Sequence, residues 1–152
     1  LPVPESAEER KYLGLEKEAP FVLGNIRADM VIVQIFSMYC PICQREAADV
    51  NSMYDLVQAD PRLKSRIRFI GIGAGNSDFE VAFYKENYQV AFPLFSDRDY
   101  AIHKQINEVG TPHFFGLKMT GNQSFEIIYS QSGEIDDPES FLKSLIRKAG
   151  ME

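Results

Sequence analysis

Short apolar runs alternate with amphipathic stretches along most of the chain. The run "VIVQIFS" (31–37) is apolar on both faces and rich in β-branched residues, which is typical of a central strand covered on both sides. The run "RIRFIGIG" (66–73) predicts a second buried strand. Between them a helix is predicted over about 41–59, because apolar positions recur at helical spacing: Cys43, Ala47, Val50, Met53, Tyr54 and Val57.

The middle of the chain predicts a second helix and a short strand. Ser77 and Glu80 form the S-x-x-E pattern of a capping box, which opens a helix that runs to about Tyr88. The run "AFPLFSD" (91–97) then predicts a strand. Pro93 favours a place at the edge of the sheet, because proline cannot donate a hydrogen bond to a neighbouring strand.

The next region predicts a helix followed by a hairpin. Ser96 or Asp97 is expected to cap a helix that runs to about Asn107. The apolar runs at 113–119 and 124–131 flank a turn, as the two strands of an antiparallel hairpin do.

A closing helix is predicted from Asp137 as N-cap and Pro138 as first helical residue, with Gly150 where it should stop. The order of elements is then β-α-β-α-β-α-β-β-α. A parallel βαβ unit followed by an antiparallel hairpin predicts an α/β fold, with a mixed central sheet and helices on both faces.

Residues 1–19 differ from the rest because they are polar, charged and contain Pro2 and Pro4. They are predicted to form an N-terminal arm that leads into an extended piece at 21–26. Residues 20–152 are predicted to form a single domain, since a chain of 152 residues suits one domain with a substantial core.

Charge and hydropathy exclude some partners. The net charge of −6 disfavours nucleic acid and anionic membranes, because both attract basic surfaces. The longest apolar stretch, residues 30–36, is too short to cross a bilayer. The sequence begins at Leu1 without a charged-then-apolar signal segment, so any signal peptide or anchor is expected to lie outside it.

Cys40 and Cys43 are the two cysteines of the chain, and they lie between the first buried strand and the helix that follows it. They could be a structural disulfide, half of a metal site or a redox pair. A disulfide between residues three apart closes a very short loop and restricts the unfolded chain little, which disfavours the structural role. The carboxyl end of a central strand is where α/β sheets carry their active sites.

A redox pair accounts best for this position. A helix N-terminus has unpaired N–H groups and a partial positive charge, so a thiolate at Cys40, just before the helix, is stabilised and its pKa falls. Cys43 lies one turn later and is expected to face the interior. Cys40 would then form a mixed disulfide with a partner, and Cys43 would resolve it. Pro41 supports the helix start, because the first turn needs no N–H donor there.

In these motifs the chain resembles the thioredoxin-fold thiol–disulfide oxidoreductases, most closely those of the TlpA/ResA type. The resemblance covers roughly residues 20 to 150 and rests on "VIVQIFS", "YCPIC", "FPLFSD" and "GTPHFF". It implies a thioredoxin-like three-layer fold with an inserted βα segment. It also implies an enzyme that reduces or exchanges disulfides in partner proteins, an upstream electron donor, no cofactor, and an extracytoplasmic location, periplasmic or membrane-tethered.

The resemblance gives roles to further residues. Thr111–Pro112 matches the cis-proline that thioredoxin-fold proteins place opposite the cysteine pair, where the backbone receives the partner's extended chain. From spacing alone, a trans proline that ends a loop is equally consistent. Glu46, three residues after Cys43, matches a glutamate that influences cysteine ionisation and proton transfer in TlpA/ResA-type proteins. The alternative for Glu46 is an exposed helical side chain that pairs with a neighbour such as Arg45.

The chain departs from the family at two positions. The family usually has Trp before the first cysteine, and here Tyr39 can still supply an apolar face beside the disulfide. Cytoplasmic thioredoxins have a buried Asp where this chain has Gln34, which leaves Glu46 as the expected proton acceptor. The residues predicted to contact substrate are Tyr39, Pro41, Thr111 and Pro112.

His113 directly follows Pro112 and is a possible modulator of the pair. It would stabilise a thiolate or complete a copper site if its ring reached the cysteines, whereas a strand residue with a hydrogen-bonded ring is the simpler interpretation.

Two other functions are alternatives to disulfide exchange. A peroxiredoxin-like thiol peroxidase shares the fold, but its P-x-x-x-T-x-x-C motif is here replaced at two positions, by Val33 and Ser37. A Sco-like copper(I) carrier, which is not an enzyme, uses C-x-x-x-C, one residue longer than the spacing here. A zinc site would need both cysteines and both histidines to converge, so no metal is predicted.

Overall fold

The computed structural model describes residues 1–152 and contains five strands in one mixed sheet. The strands are β1 (Met30–Phe36), β2 (Ile67–Ala74), β3 (Leu94–Asp97), β4 (His113–Gly121) and β5 (Ser124–Ser132). Their order across the sheet is β3-β2-β1-β4-β5. β1, β2 and β3 are parallel, whereas β4 and β5 are antiparallel to their neighbours, which confirms the predicted mixed sheet.

β1 is the central strand, and all seven of its residues are buried. It pairs with β2 on one side and β4 on the other. The run that is apolar on both faces therefore lies where both faces are covered. β3 lies at the edge of the sheet, as Pro93 predicts.

Five helices flank the sheet: α1 (Ala7–Leu13), α2 (Pro41–Ala59), α3 (Asp78–Asn87), α4 (Ala101–Gln105) and α5 (Pro138–Lys148). One core contains side chains of α2, α3 and α5, among them the fully buried Met53, Tyr84 and Leu145. The core on the opposite side of the sheet includes Leu13 of α1, with Ile102 of α4 packed against it. Burial of each such large apolar side chain stabilises the fold by about 1.5–3 kcal/mol.

Residues 1–19 contain α1, a helix that the sequence pattern did not predict. Ser6 caps its N-terminus, and Leu13 is completely buried. The hydroxyl of Tyr12 accepts a hydrogen bond from the N–H of Phe69 in β2 at 2.8 Å, so α1 contacts the sheet directly. The extended piece predicted at 21–26 is wrong, because Leu23–Asn25 forms a turn of 3₁₀ helix.

α4 is shorter than predicted. Asp97 does satisfy its first turn, since its carboxylate accepts hydrogen bonds from the N–H groups of Ile102 and His103 at 2.9 Å each. The helix ends at Gln105 because Asn107 and Glu108 have positive φ angles of 64° and 51°, which a right-handed helix does not accommodate.

Three segments meet at one end of the strands, the carboxyl end of β1 and β2. Parallel strands β1 and β2 both end there, and antiparallel β4 begins there with His113 opposite Ile35. The cysteine pair, the loop into α3 and the Thr111–Pro112 segment are therefore neighbours, although they are far apart in the sequence.

Candidate active site

Cys40 is the N-cap of α2, and its side chain takes the place of the usual capping oxygen. Its Sγ accepts a hydrogen bond from the N–H of Cys43 at 3.2 Å, and its carbonyl oxygen accepts one from Gln44 at 3.0 Å. Pro41 occupies the first helical position, as predicted. Both cysteines are free thiols in this structure.

The two thiols lie in different surroundings. Cys40 is partly exposed, whereas Cys43 is completely buried. Partial burial opposes the ionisation of Cys40, but hydrogen bonds from the thiol and N–H of Cys43 outweigh it, so the pKa of Cys40 lies below its ordinary value. Burial, together with the hydrogen bond to Cys40, raises the pKa of Cys43 to about 12. The predicted asymmetry of the pair is present in the structure.

The Thr111–Pro112 peptide bond is cis, which confirms the conformation implied by the resemblance. The thiol of Cys40 lies 3.6 Å from the carbonyl oxygen of Thr111 and donates a weak hydrogen bond to it. Pro112 is buried and leads directly into β4. The segment therefore forms the wall of the site on the β4 side of Cys40.

Glu46 is buried inside α2, with only 3% of its surface exposed. One carboxylate oxygen accepts a hydrogen bond from the N–H of Ile135, and the other has no partner. Burial and, more weakly, the nearby carboxylate of Glu134 raise the pKa of Glu46 to about 7, although the hydrogen bond from Ile135 opposes the shift. The alternative that Glu46 is an exposed side chain paired with Arg45 is wrong. Arg45 itself is exposed, and it forms an ion pair with Glu134 at 2.9 Å.

A buried asparagine holds the loop that precedes the cysteines. Asn76 is 1% exposed, and its Oδ1 accepts a hydrogen bond from the N–H of Met38 at 2.8 Å. The carbonyl oxygen of Met38 accepts a second bond, from the side-chain amide of Gln44 at 2.8 Å. The sequence analysis does not identify Asn76 as a site residue. Its place just after a buried strand is nevertheless a usable signal, because active sites of α/β sheets lie at the carboxyl ends of the strands.

Tyr84 of α3 supports the other cysteine. Its hydroxyl donates a hydrogen bond to the carbonyl oxygen of Cys43 at 3.2 Å, and its ring stacks on Phe36 with centroids 4.5 Å apart. Tyr84 is 1% exposed. The sequence does not mark it as a site residue, because an aromatic side chain on the buried face of a helix looks like ordinary core. α3 is thus fastened to the start of α2.

Tyr39 lies on the β2 side of the site. It is 67% exposed, and its hydroxyl donates a hydrogen bond to Glu80 of α3. The second carboxylate oxygen of Glu80 accepts from the N–H of Ser77, within the capping box that the sequence predicts. The bond to Glu80 raises the pKa of Tyr39 above its ordinary value and helps to lower that of Glu80. The side chain before the cysteine pair is therefore tied to α3.

His113 is a buried strand residue with a hydrogen-bonded ring, which is the simpler of the two interpretations given above. It is 5% exposed, with Nδ1 at 2.7 Å from the hydroxyl of Ser132 and Nε2 at 2.8 Å from that of Ser130. Burial lowers its pKa. Both ring nitrogens are thus engaged on the side of β5. No group of three or more His, Cys, Asp or Glu side chains is arranged to hold a metal ion.

Cys40 is the part of the cysteine pair that reaches the surface, where the preceding Tyr39 is exposed. Two surface clefts of about 540 Å³ each are lined by other regions, one by residues around 14–27 and one between the end of α2 and α5. A site with a partly exposed thiol suits an approaching polypeptide better than a small enclosed ligand.

No helix is both long enough and apolar enough to cross a membrane.

Comparisons with known proteins agree with this geometry. Residues 8–132 match the sequence profile described as the AhpC/TSA family. The chain is 26% identical to the thiol-disulfide oxidoreductase ResA of Bacillus cereus (strain ATCC 10987 / NRS 248), over 92% of this chain and 82% of that protein. It is 25% identical to ResA of Bacillus thuringiensis subsp. konkukian (strain 97-27), over 91% and 81%.

Solved structures show the same fold. A secreted disulfide oxidoreductase of Mycobacterium tuberculosis, homologous to E. coli DsbE, superposes with a TM-score of 0.65 at 16% identity, covering 85% of this chain and 89% of that one. StoA from Bacillus subtilis superposes with a TM-score of 0.60 at 20% identity, covering 76% and 81%. The predicted thioredoxin-like fold is confirmed.

Proposed function

The chain belongs to the AhpC/TSA family, and we propose that within it the protein acts as a thiol–disulfide oxidoreductase whose redox pair is Cys40 and Cys43. The observation that carries this proposal is the difference between the two thiols. Cys40 is accessible and has a lowered pKa at the start of a helix, whereas Cys43 is buried and has a raised pKa. Such a pair has one attacking and one resolving cysteine.

The exchange proceeds in two displacements. The Cys40 thiolate attacks a partner disulfide, which forms a Cys40–partner disulfide and expels one partner thiolate that takes up a proton. Cys43 then loses its proton and attacks the Cys40 sulfur, which releases the second partner thiolate and leaves a Cys40–Cys43 disulfide. Two electrons pass from the protein to the partner, and an upstream dithiol donor restores the reduced pair.

Glu46 is the proposed acceptor of the proton that Cys43 loses. It lies one turn after Cys43 on the same helix, and its pKa of about 7 suits a group that takes and returns a proton near neutral pH. Its partnerless carboxylate oxygen is free to receive that proton.

The partner is proposed to be a protein with an exposed disulfide. Its extended chain would lie against Thr111 and Pro112 on one side of Cys40 and against Tyr39 and Pro41 on the other. An extracytoplasmic location is proposed as well, and the secreted M. tuberculosis relative supports it. The partly exposed thiol of Cys40, next to the exposed side chain of Tyr39, supports a macromolecular substrate.

The two rival functions receive less support. A peroxidase would lack the proline and threonine of the peroxiredoxin motif, which are Val33 and Ser37 here. A copper carrier would need a third ligand, and both ring nitrogens of His113 are engaged by serine hydroxyls.

Trapping of the mixed disulfide tests the proposal. With insulin as the disulfide substrate, Cys43→Ser should accumulate a covalent adduct at Cys40, because the resolving thiol is missing. Cys40→Ser should form none, because the remaining thiol is buried and protonated. Mass spectrometry of the non-reduced proteins identifies the adduct. Adducts at Cys43, or insulin reduction by both variants at the wild-type rate, would contradict the proposal.

A further inference from the structure

The two histidines of the chain make contacts at the two ends of the short segment that carries Thr111. This segment, residues 109–113, follows the turn after α4 and ends at the first residue of β4. Thr111 lies at its middle, with its carbonyl oxygen 3.6 Å from the Cys40 sulfur. The place of this segment therefore determines what a group that arrives at Cys40 meets on the β4 side.

His103 of α4 holds the first end of the segment. Its Nε2 lies 2.7 Å from the carbonyl oxygen of Val109. Because a carbonyl oxygen can only accept, this nitrogen carries a proton and donates the hydrogen bond. The carbonyl oxygen of His103 accepts a further bond from the N–H of Glu108 at 2.8 Å. The ring and the backbone of one residue thus tie Val109 and its neighbour to α4.

His113 holds the other end. Its ring lies between two serine hydroxyls of β5, with Nδ1 2.7 Å from Ser132 and Nε2 2.8 Å from Ser130. In a neutral ring one nitrogen donates and the other accepts, and a hydroxyl can do either, so both contacts are satisfied. The carbonyl oxygen of Pro112 also accepts a hydrogen bond from the N–H of Gly133 at 2.9 Å. This end of the segment is therefore tied to β5 by side chains as well as by backbone.

Little else holds the residues between these two ends. Gly110 has open space around it, since a Cβ added there would meet only the Ser132 hydroxyl oxygen, at 3.9 Å. Glycine is also the residue with the least restricted backbone. The place of Thr111 therefore depends on the fastened ends of the segment.

We propose that His103 and His113 are positioning residues, which hold Thr111 beside Cys40 so that a partner polypeptide meets a fixed surface there. The inference rests on the proposed function, in which the partner's extended chain lies against Thr111, and it adds two residues to that site. A surface ordered in advance loses less conformational entropy when the partner binds. A small reagent that reaches the Cys40 sulfur without lying against Thr111 gains nothing from this order.

The test compares the attack of Cys40 on a polypeptide with its attack on a small reagent. In a Cys43→Ser background, mass spectrometry gives the initial rate of mixed-disulfide formation with insulin and the rate of alkylation by iodoacetamide. The ratio of the insulin rate to the iodoacetamide rate cancels any change in the ionisation of Cys40, because both reactions use the same thiolate. Failure of the parent to form the insulin adduct would refute the proposed function, whereas the variants test the positioning role.

The first pair of variants acts on the β5 side. Ser130→Ala/Ser132→Ala removes both hydroxyls from the His113 ring and should lower the ratio about fivefold, as expected for the loss of one or two hydrogen bonds. Ser130→Thr/Ser132→Thr keeps the hydroxyls, and threonine suits exposed strand positions such as these. The threonine variant should therefore keep the ratio of the parent.

The second pair acts on the α4 side. His103→Leu removes the donor to Val109 and should also lower the ratio about fivefold, whereas His103→Gln keeps an N–H donor and should retain most of the ratio. Ser96→Ala is the matched control, because the Ser96 hydroxyl donates to Asp78 at the opposite edge of the sheet. An unchanged ratio in the alanine pair or in His103→Leu, or an equal loss in the threonine pair or the control, would overturn the positioning role.

Discussion

The N–H of Cys43 points at the sulfur of Cys40, with 3.2 Å between nitrogen and sulfur. This contact is the N-terminal cap of α2, and together with the hydrogen bond from the Cys43 thiol it lowers the pKa of Cys40. The residues that start the helix are therefore the residues that activate the nucleophile. A change at this cap should alter helix stability and thiol chemistry together.

Alkylation of the wild-type protein should label Cys40 first. Hydrogen bonds hold its pKa below the ordinary value, whereas burial and the contact with Cys40 raise that of Cys43 to about 12. With iodoacetamide at neutral pH, peptide mapping should find nearly all of the label on Cys40 and little on Cys43. Similar labelling rates at both positions would remove the asymmetry on which the mechanism depends.

Stability should depend on pH through Glu46. The pKa of Glu46 is about 4.5 in the unfolded chain and about 7 in the folded protein. Its favourable contribution to the free energy of unfolding is therefore complete below pH 4.5 and is lost as the pH rises through 7. Glu46→Gln cannot ionise and keeps an oxygen for the Ile135 N–H. The free energy of unfolding of Glu46→Gln relative to wild type should rise by about 3 kcal/mol between pH 4 and pH 8. Urea unfolding at several pH values measures it, and a flat or falling difference would contradict the assignment.

Glu46→Gln should also move the ionisation of Cys40. A carboxylate near a thiol disfavours the thiolate, so its removal should shift the pH profile of Cys40 alkylation towards lower pH. The measurement is the alkylation rate as a function of pH in both proteins. An unchanged profile would mean that the buried carboxylate does not act on the Cys40 thiol.

Asn76 should act as a positioning residue for the loop before Cys40. Asn76→Ala leaves the N–H of Met38 without its partner, which should cost about 1–3 kcal/mol of stability and slow the alkylation of Cys40. Asn51→Ala is the matched control, because its amide donates to the carbonyl oxygen of Tyr88 at 2.8 Å, away from the thiols. Both variants should lose stability, but only Asn76→Ala should change the alkylation profile. Equal profiles would reduce Asn76 to a structural role.

The elements that the sequence predicts well are those in which pattern and capping agree. α2 runs over 41–59 as predicted, because Pro41 and the apolar stripe both favour that start and length. α1 was missed because seven mostly polar residues carry no helical stripe. It is held by tertiary contacts of Tyr12 and Leu13, which no local pattern contains.

The residues of the site also divide into those that the sequence predicts and those that it does not. The cysteine pair and Thr111–Pro112 were found because each is a short motif with its own chemistry. Asn76 and Tyr84 were not found, because each acts through one hydrogen bond to a residue 38 or 41 positions away. Only the arrangement of β1, β2 and α3 brings those partners together.

A redox titration of the wild-type protein in glutathione buffers shows whether Cys40 and Cys43 form a reversible redox pair. After equilibration, free thiols are alkylated and counted by mass spectrometry. We expect one two-electron transition in which the number of free thiols falls from two to zero, with an internal Cys40–Cys43 disulfide as the oxidised product. A count that stays at two across the range, or a product carrying glutathione on one cysteine with the other still free, would contradict it.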